Sequence, residues 1–268
     1  MTENTTVQKN KKRGRFTQPP PAGHVVNEYM EFIPQNTLHG YGKIDYHIHT
    51  SIGDAIDKPE DIIDYVEKET DLDLIAITDH DQIKGAARAK KYAEDSGCRI
   101  KVIIGEEVST LKGHLIGLFM KKRIKRYTGL ADTLKEIHAQ GGIAIVPHPL
   151  SWLTTSVGQQ AFKSIMSHKD PDVYFDAVEL INPAIAGKIT DSKAQSVNKQ
   201  LWKLSVTGGS DSHSKEGIGD AYTLFPGKTE EDFRRAIKEH KTFYGGNYWT
   251  FKNHWDLLVE KVKRFKVF

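Results

Sequence analysis

From about residue 41 onward, short runs of consecutive apolar residues alternate with segments whose apolar positions recur at helical spacing. Residues 43–49 read as a first strand. A helix is expected over 59–70, because Pro59 suits an opening helical turn and Ile62, Ile63 and Val66 share one face. The run LDLIAIT, 72–78, is a second strand, followed by a helix over 85–97 that ends on a capping Gly97. The pattern then predicts strands over 100–108 and 114–119, a helix over 130–140 halted by Gly141 and Gly142, and a strand over 143–146. Helices over 159–167 and 191–204 precede strands over 175–181 and 205–208, and a last strand and helix fall at 222–225 and 230–239.

These strands are continuously apolar rather than alternating, which marks strands covered on both faces. Seven or so such units in series predict an α/β fold: a closed or nearly closed β/α barrel, with an open doubly wound sheet as the competing architecture. The 268 residues suffice to bury the core of one such barrel, so a single domain is expected. Residues 1–24 stand apart, with Lys9, Lys11, Lys12, Arg13 and Arg15 against one acid, Glu3, before Pro19, Pro20 and Pro21. The chain therefore divides into a basic, largely disordered extension over 1–40 and a barrel domain over 41–268. Trp255, Leu257, Leu258, Val262 and Phe265 look like one face of a C-terminal helix packed on that barrel.

Composition changes this picture little. A charged content of 27% and a hydrophobic content of 38% fit an ordinary soluble chain, and a net charge of +3 says little about partners. No run of about 18 apolar residues exists to span a membrane, and the basic N-terminus has no apolar stretch after it to make a secretory signal. One cysteine, Cys98, cannot form an internal disulfide, which suits the cytoplasm. A second basic run, Lys121, Lys122, Arg123, Lys125 and Arg126, falls in a loop. Like the N-terminal one it could touch phosphate-rich ligands, although short charge runs are more often solvated surface.

The chemistry gathers at the strand ends. Asp45, His47 and His49 sit at i, i+2 and i+4, so a strand directs all three the same way. Asp79 and His80 end LDLIAIT, Glu106 and Glu107 end KVIIG, His114 opens HLIGLF, and His148 ends GIAIV between two prolines. Asp211 and His213 follow the Gly208-Gly209 turn. Six of the twelve histidines thus lie at strand ends, most beside a carboxylate. In an α/β barrel those ends form one face, where active sites sit. Imidazole with carboxylate is a ligand set for zinc, manganese or iron, and two or three divalent ions are the use of so many ligands. Taken singly, a strand-end histidine such as His148 is more often structural, and Asp79 could serve to orient a histidine. Asn182, at the end of AVELI, could touch substrate or simply shape the turn before Pro183. His24, His39, His138, His168, His240 and His254 lack this setting and are read as non-ligands.

The order Asp45-x-His47-x-His49-Thr50, Ile77-Thr78-Asp79-His80-Asp81, Gly105-Glu106-Glu107, Gly113-His114, Pro147-His148-Pro149 and Ser210-Asp211-Ser212-His213 resembles the polymerase and histidinol phosphatase (PHP) superfamily. The resemblance runs over about residues 43–240. It implies a distorted seven-stranded β/α barrel carrying a two- or three-metal phosphoesterase site. Carried over by position, it implies that His47 and His49 bind a first ion with Glu106 and Asp211. Glu106 would bridge to a second ion held by His114 and His148, and His80 and His213 would hold a third. Some relatives complete that third site with a histidine. Here Asp54, in Gly53-Asp54-Ala55, is the candidate, and an exposed loop acid is the equal alternative. Asp45 and Asp79 would support the ligands. Asp211, His80 and His213 would act in catalysis, with a metal-bridging hydroxide attacking phosphorus and His80 or His213 protonating the leaving oxygen. Only 41 residues separate Glu106 from His148, too few for the small inserted domain of some branches. A stand-alone phosphoesterase acting on a nucleotide, short nucleic acid or small phosphorylated metabolite is therefore expected. A C–N bond metallohydrolase or a non-catalytic metal-binding barrel are the alternatives. No lysine sits at a strand end to serve as a carbamylated bridge, which disfavours the first.

Overall fold

The computed structural model describes residues 25–26 and 40–249. The basic extension and the C-terminal apolar stripe lie outside the described residues, as do His24, His39 and His254. Among the described residues, ten strands form one sheet in the order β1-β10-β9-β2-β3-β4-β5-β6-β7-β8, and six α-helices pack around it. The strands are β1 (Val25–Val26), β2 (Tyr41–Ile48), β3 (Leu74–Ile77), β4 (Lys101–Thr110), β5 (Gly113–Leu118), β6 (Ile143–Val146), β7 (Ala177–Ile181), β8 (Ser205–Gly208), β9 (Ala221–Pro226) and β10 (Phe243–Gly246). The sheet curls almost into a barrel. Beyond β8, Ser212 accepts the His49 N–H at 2.9 Å and donates its own to His47 at 3.2 Å, joining the last strand's exit to the end of β2. Lower down, the Thr223 hydroxyl of β9 donates to the Gly208 carbonyl of β8 at 3.0 Å.

The helices are α1 (Pro59–Glu69), α2 (Lys84–Asp95), α3 (Leu130–Ala139), α4 (Gln159–Met166), α5 (Ile185–Val197) and α6 (Glu230–Lys238). Pro59 opens α1, with Glu60 and Asp61 favourably placed in its positive first turn. Its Ile62, Ile63 and Val66 are fully buried, at roughly 1.5–3 kcal/mol of burial each. Truncating Ile63 to alanine would cost about 2–5 kcal/mol. In α2 the buried stripe is Ala86, Ala89 and Ala93, small enough to bring the helix close to β3 and β4. At Gly85 a Cβ would overlap the Asp79 carboxylate, so this glycine is what lets α2 start there. Helix α6 begins with a capping box in which the Thr229 side chain accepts the Asp232 N–H and the Asp232 carboxylate accepts the Thr229 N–H. Its Phe233 and Ile237 pack with Ile44, Tyr46, Ile116, Ile145 and Phe225, the side chains that fill the barrel.

The barrel is distorted at β5. Strands β2-β3-β4 and β6-β7-β8 pair in parallel, but β5 is antiparallel to both β4 and β6. It follows β4 through a tight turn with no helix between them. Two elements depart from the sequence reading. Helix α5 starts at Ile185 rather than 191, because the Asn182 side chain accepts the Ala184 N–H and Gly187 fits tightly over the Asn182 backbone. Strand β10 has no apolar run: Gly245 lies where a side chain would collide with the Tyr222 ring.

Candidate metal centre

Each histidine of interest is delivered by a strand end. His47 and His49 leave β2, His80 follows β3, and His148 follows β6. His114 opens β5, and because that strand runs backwards its first residues lie at the same end as the last residues of the others. Asp211 and His213 follow β8. Three side-chain-bearing residues here adopt left-handed backbone, Asp81 at φ 53°, His148 at 28° and Asp211 at 51°. Such geometry costs of order 1–3 kcal/mol each and clusters at functional sites.

Glu107 is the hub. Its Oε2 lies 3.4 Å from His47 Nε2, 3.3 Å from His49 Nε2 and 3.3 Å from His80 Nδ1. Its Oε1 lies 2.8 Å from His114 Nδ1 and 3.2 Å from His148 Nε2. Asp211 Oδ1 adds contacts at 3.4 Å to His47 Nε2 and 3.3 Å to His49 Nε2. On the outer side, Asp54 Oδ2 is 3.1 Å from His213 Nε2, and Asp54 Oδ1 is 3.8 Å from His49 Nδ1.

The expected bridging carboxylate is thus displaced by one residue. Neighbours on a strand point to opposite faces, so only one of two adjacent glutamates can reach the cluster. Glu107 faces inward. Glu106 faces away and accepts the Ile124 N–H at 2.9 Å, and burial pushes its pKa up to about 7. The structure brings together His47, His49, Asp54, His80, His114, His148, Asp211 and His213 as the sequence suggested, with Glu107 in place of Glu106.

The arrangement suits cations. Both nitrogens of His49 and the Nδ1 atoms of His80 and His114 are buried without a hydrogen-bond partner. Such orphaned lone pairs are costly unless something electrophilic takes them. Three other rings are turned by acceptors at Nδ1, which leaves the Nε2 lone pair for the cluster. His47 Nδ1 donates to Glu179 at 3.0 Å, and His213 Nδ1 donates to the Asp211 carbonyl at 3.0 Å. His148 Nδ1 lies 2.8 Å from Ser156 Oγ, whose own proton goes to the His148 carbonyl, so toward that oxygen the ring is the donor. Burial opposes ionisation of Glu107 and Asp211, yet the surrounding histidines hold both well below the usual carboxylate range. Four sets of three or four ligand atoms lie close enough to hold an ion: His47-Glu107-His148, His47-His49-Asp211, His80-Glu107-His114 and His49-Asp54-His80-His213.

The remaining acids serve as supports. Asp45 accepts the N–H groups of His47, Ser210 and Gly219 at 3.3, 3.1 and 2.8 Å, and burial raises its pKa to about 6. Asp79 takes the Thr50 N–H at 2.6 Å and its hydroxyl at 2.8 Å, and is likewise pushed up to about 6 by burial. Glu179 was missed by sequence reasoning. It orients His47, accepts the Tyr46 hydroxyl at 3.1 Å and the His148 N–H at 3.0 Å. Its only signal was a lone carboxylate inside the apolar run AVELI. Asn182 is buried and donates to Glu179 at 3.0 Å, so it supports the cluster from below. Of the other histidines, His138 binds the Asp176 carboxylate far from this face, and neither His168 nor His240 belongs to a ligand set among the described residues.

A barrel whose strand ends converge histidines on two carboxylates carries the ligand set of a metal site. The comparisons agree. The PHP-associated family profile matches residues 194–242, which include Asp211 and His213. The uncharacterized protein MJ1587 of Methanocaldococcus jannaschii is 34% identical over 151 residues, 52% of this chain and 81% of that protein. A two-domain protein of Bacteroides vulgatus, described as containing a predicted PHP-like metal-dependent phosphoesterase, superposes with a TM-score of 0.60 at 19% identity. That match covers 77% of this chain and 65% of the other, so this chain spans less than two thirds of the two-domain protein. A Bifidobacterium adolescentis protein named presumptively as a metal-dependent phosphoesterase gives 0.54 at 15% identity, covering 74% of this chain and 96% of that one. Over residues 194–242 the chain matches the PHP-associated family, and it shares the fold of these PHP-like structures.

Proposed function

We propose that the protein is a metal-dependent phosphoesterase that hydrolyses a phosphate ester at the Glu107 cluster. The observation that carries this reading is the convergence of five histidines from four strand ends on one buried carboxylate, with four of their nitrogens left without hydrogen-bond partners among the described residues. In this reading His47, His49, Asp211 and Glu107 hold one divalent ion, and Glu107, His114 and His148 hold a second. Asp54, His80 and His213 form the third set. When bound, manganese, zinc or iron would lower the pKa of a water and neutralise charge that develops on the phosphoryl oxygens.

The chain's own residues do the rest. Glu179, Ser156 and the Asp211 carbonyl fix the rings of His47, His148 and His213, so the cluster is organised before substrate arrives. His80 and His213 are the most exposed cluster histidines, at 31% and 18%. With two ions bound either could give a proton to the leaving oxygen, and with three bound they would be ligands instead. The substrate in this reading is a small phosphorylated molecule or a short nucleic acid.

The test is product release by manganese-loaded protein from a nucleoside monophosphate, a nucleoside bisphosphate and a short 5′-phosphorylated RNA. Free phosphate from the small esters makes it a monoesterase, and mononucleotides from the RNA make it a nuclease. Full metal occupancy with no product from any phosphate ester would overturn the reading.

A further inference from the structure

The basic loop over residues 121–126 does not lie in open solvent away from the cluster. A cavity of about 630 Å³ opens beside the cluster, and its lining includes Asp54, His80, Lys84, Arg123 and Arg126. The loop is built into place. Ile124 is fully buried in the core, and its N–H is taken by Glu106 at 2.9 Å. Gln140 Oε1 accepts the Lys121 and Lys122 N–H groups at 3.0 and 2.9 Å, and the Tyr127 N–H bonds the Ser109 carbonyl at 2.6 Å. Arg123 and Arg126 therefore stand on either side of a fixed anchor.

Their charges are not consumed locally. Lys122 faces Glu136 at 3.8 Å, but neither arginine nor Lys84 has an ion pair within 4 Å among the described residues. Arg123 is felt only as a nearby charge by Glu106, and Arg126 rests 5.3 Å from the Tyr127 ring. The two acids of the cavity are engaged, Asp54 with His213 and Asp81 with the Ser109 N–H at 2.8 Å. Guanidinium groups match phosphate geometry with paired donors. The volume lies within the roughly 300–1,000 Å³ that holds a whole small molecule, more than one phosphate needs. Among the described residues, no Phe, Tyr or Trp lines the cavity to stack the successive bases of a nucleic-acid strand.

We propose that Arg123 and Arg126, with Lys84, form a second anion subsite, so that the preferred substrate is a small molecule with two phosphate groups. One phosphate is the ester at the cluster and the other is held by the loop. This rests on the phosphoesterase reading, and the test separates the two. Alkane bisphosphonates of graded length and the matching monophosphonates, neither of which can be hydrolysed at phosphorus–carbon bonds, are titrated calorimetrically into manganese-loaded full-length protein. The bisphosphonate of best length should bind at least about tenfold tighter than its monophosphonate, from paired charge-assisted hydrogen bonds. In the R123Q/R126Q variant that advantage should fall to within about twofold, with monophosphonate affinity and melting temperature unchanged. Equal affinities in the wild type, or an advantage that survives in the variant, would overturn the subsite. A 5′-phosphorylated oligonucleotide that outcompetes every bisphosphonate would overturn the small-molecule assignment. The corresponding esters complete the comparison: bisphosphonate preference without any ester hydrolysis removes the catalytic reading and keeps the subsite, whereas equal hydrolysis of mono- and bisphosphate esters does the reverse.

Discussion

Replacing Glu106 by leucine and Glu107 by glutamine should separate two residues that the sequence sets side by side. Glu106→Leu keeps the side-chain size but leaves the buried Ile124 N–H without its acceptor. An orphaned buried amide costs about 1–3 kcal/mol. Little is regained by removing a carboxylate whose pKa sits near 7, since at neutral pH it is already about half protonated. For a domain of this size each kcal/mol moves the melting temperature by about 2–4 °C, so a fall of roughly 2–12 °C is expected. Metal content should stay at the wild-type level, because Glu106 makes no contact with the cluster. Glu107→Gln reverses the pattern, since it removes the charge that faces five histidines and should strip the ions and the activity. Differential scanning calorimetry and plasma mass spectrometry of the same preparations read both quantities. A Glu106→Leu protein that loses its metals while melting normally, or a Glu107→Gln protein that keeps them, would refute the argument from strand faces.

Other outcomes follow from the same geometry. His49→Ala should lower metal content and abolish turnover, and a fully metallated, active variant would remove His49 from the ligand set. Chelation should lower the melting temperature of the wild type, by an amount worth about 2.7 kcal/mol if ions had been present at a hundred times their Kd; an unchanged melting point would mean that the ions do not bind the folded state preferentially. Burial and the nearby Glu179 raise the Asp191 pKa from 3.8 to about 7 against the Asn182 N–H it accepts. A raised folded-state pKa gives stability that is complete below pH 4 and lost as pH climbs through 7, up to about 4 kcal/mol. Asp191→Asn should flatten that slope and be the more stable protein at pH 8. Parallel pH profiles in urea melts would argue against this.

The strands were legible because burial on both faces leaves an unbroken apolar run, and α1 and α6 because their caps and faces are written locally. Strand β10 was not, since its glycines answer to the Tyr222 ring on a neighbouring strand rather than to any local preference. The choice between Glu106 and Glu107 depends on which face of β4 looks inward. Both faces of that strand are buried, so no hydrophobic alternation reveals it. Glu179 was hidden for a related reason, as one acid in a strand that otherwise reads as core. The placing of Arg123 and Arg126 beside the cluster depends on where β5 and α3 leave their connecting loop, which is a property of the closed barrel. The six histidines escaped this difficulty because a strand end is a position that a sequence pattern can mark.

Strand β2 pairs with β3, about thirty residues away, and also with β9, where Tyr41 meets Pro226. Contacts so distant along the chain form late, because loop closure must precede any reward from the pairing. The β4–β5 hairpin can form early and carries Glu107 and His114 with it, but His47, His49 and Asp211 reach them only when the ring of strands shuts. An ion held by His47, His49, Asp211 and Glu107 would need that closure and could not steer the early search. It would act afterwards as a latch, slowing the reopening of the barrel while leaving the rate of folding nearly untouched. Stopped-flow refolding that accelerated in proportion to added manganese would contradict this order of events.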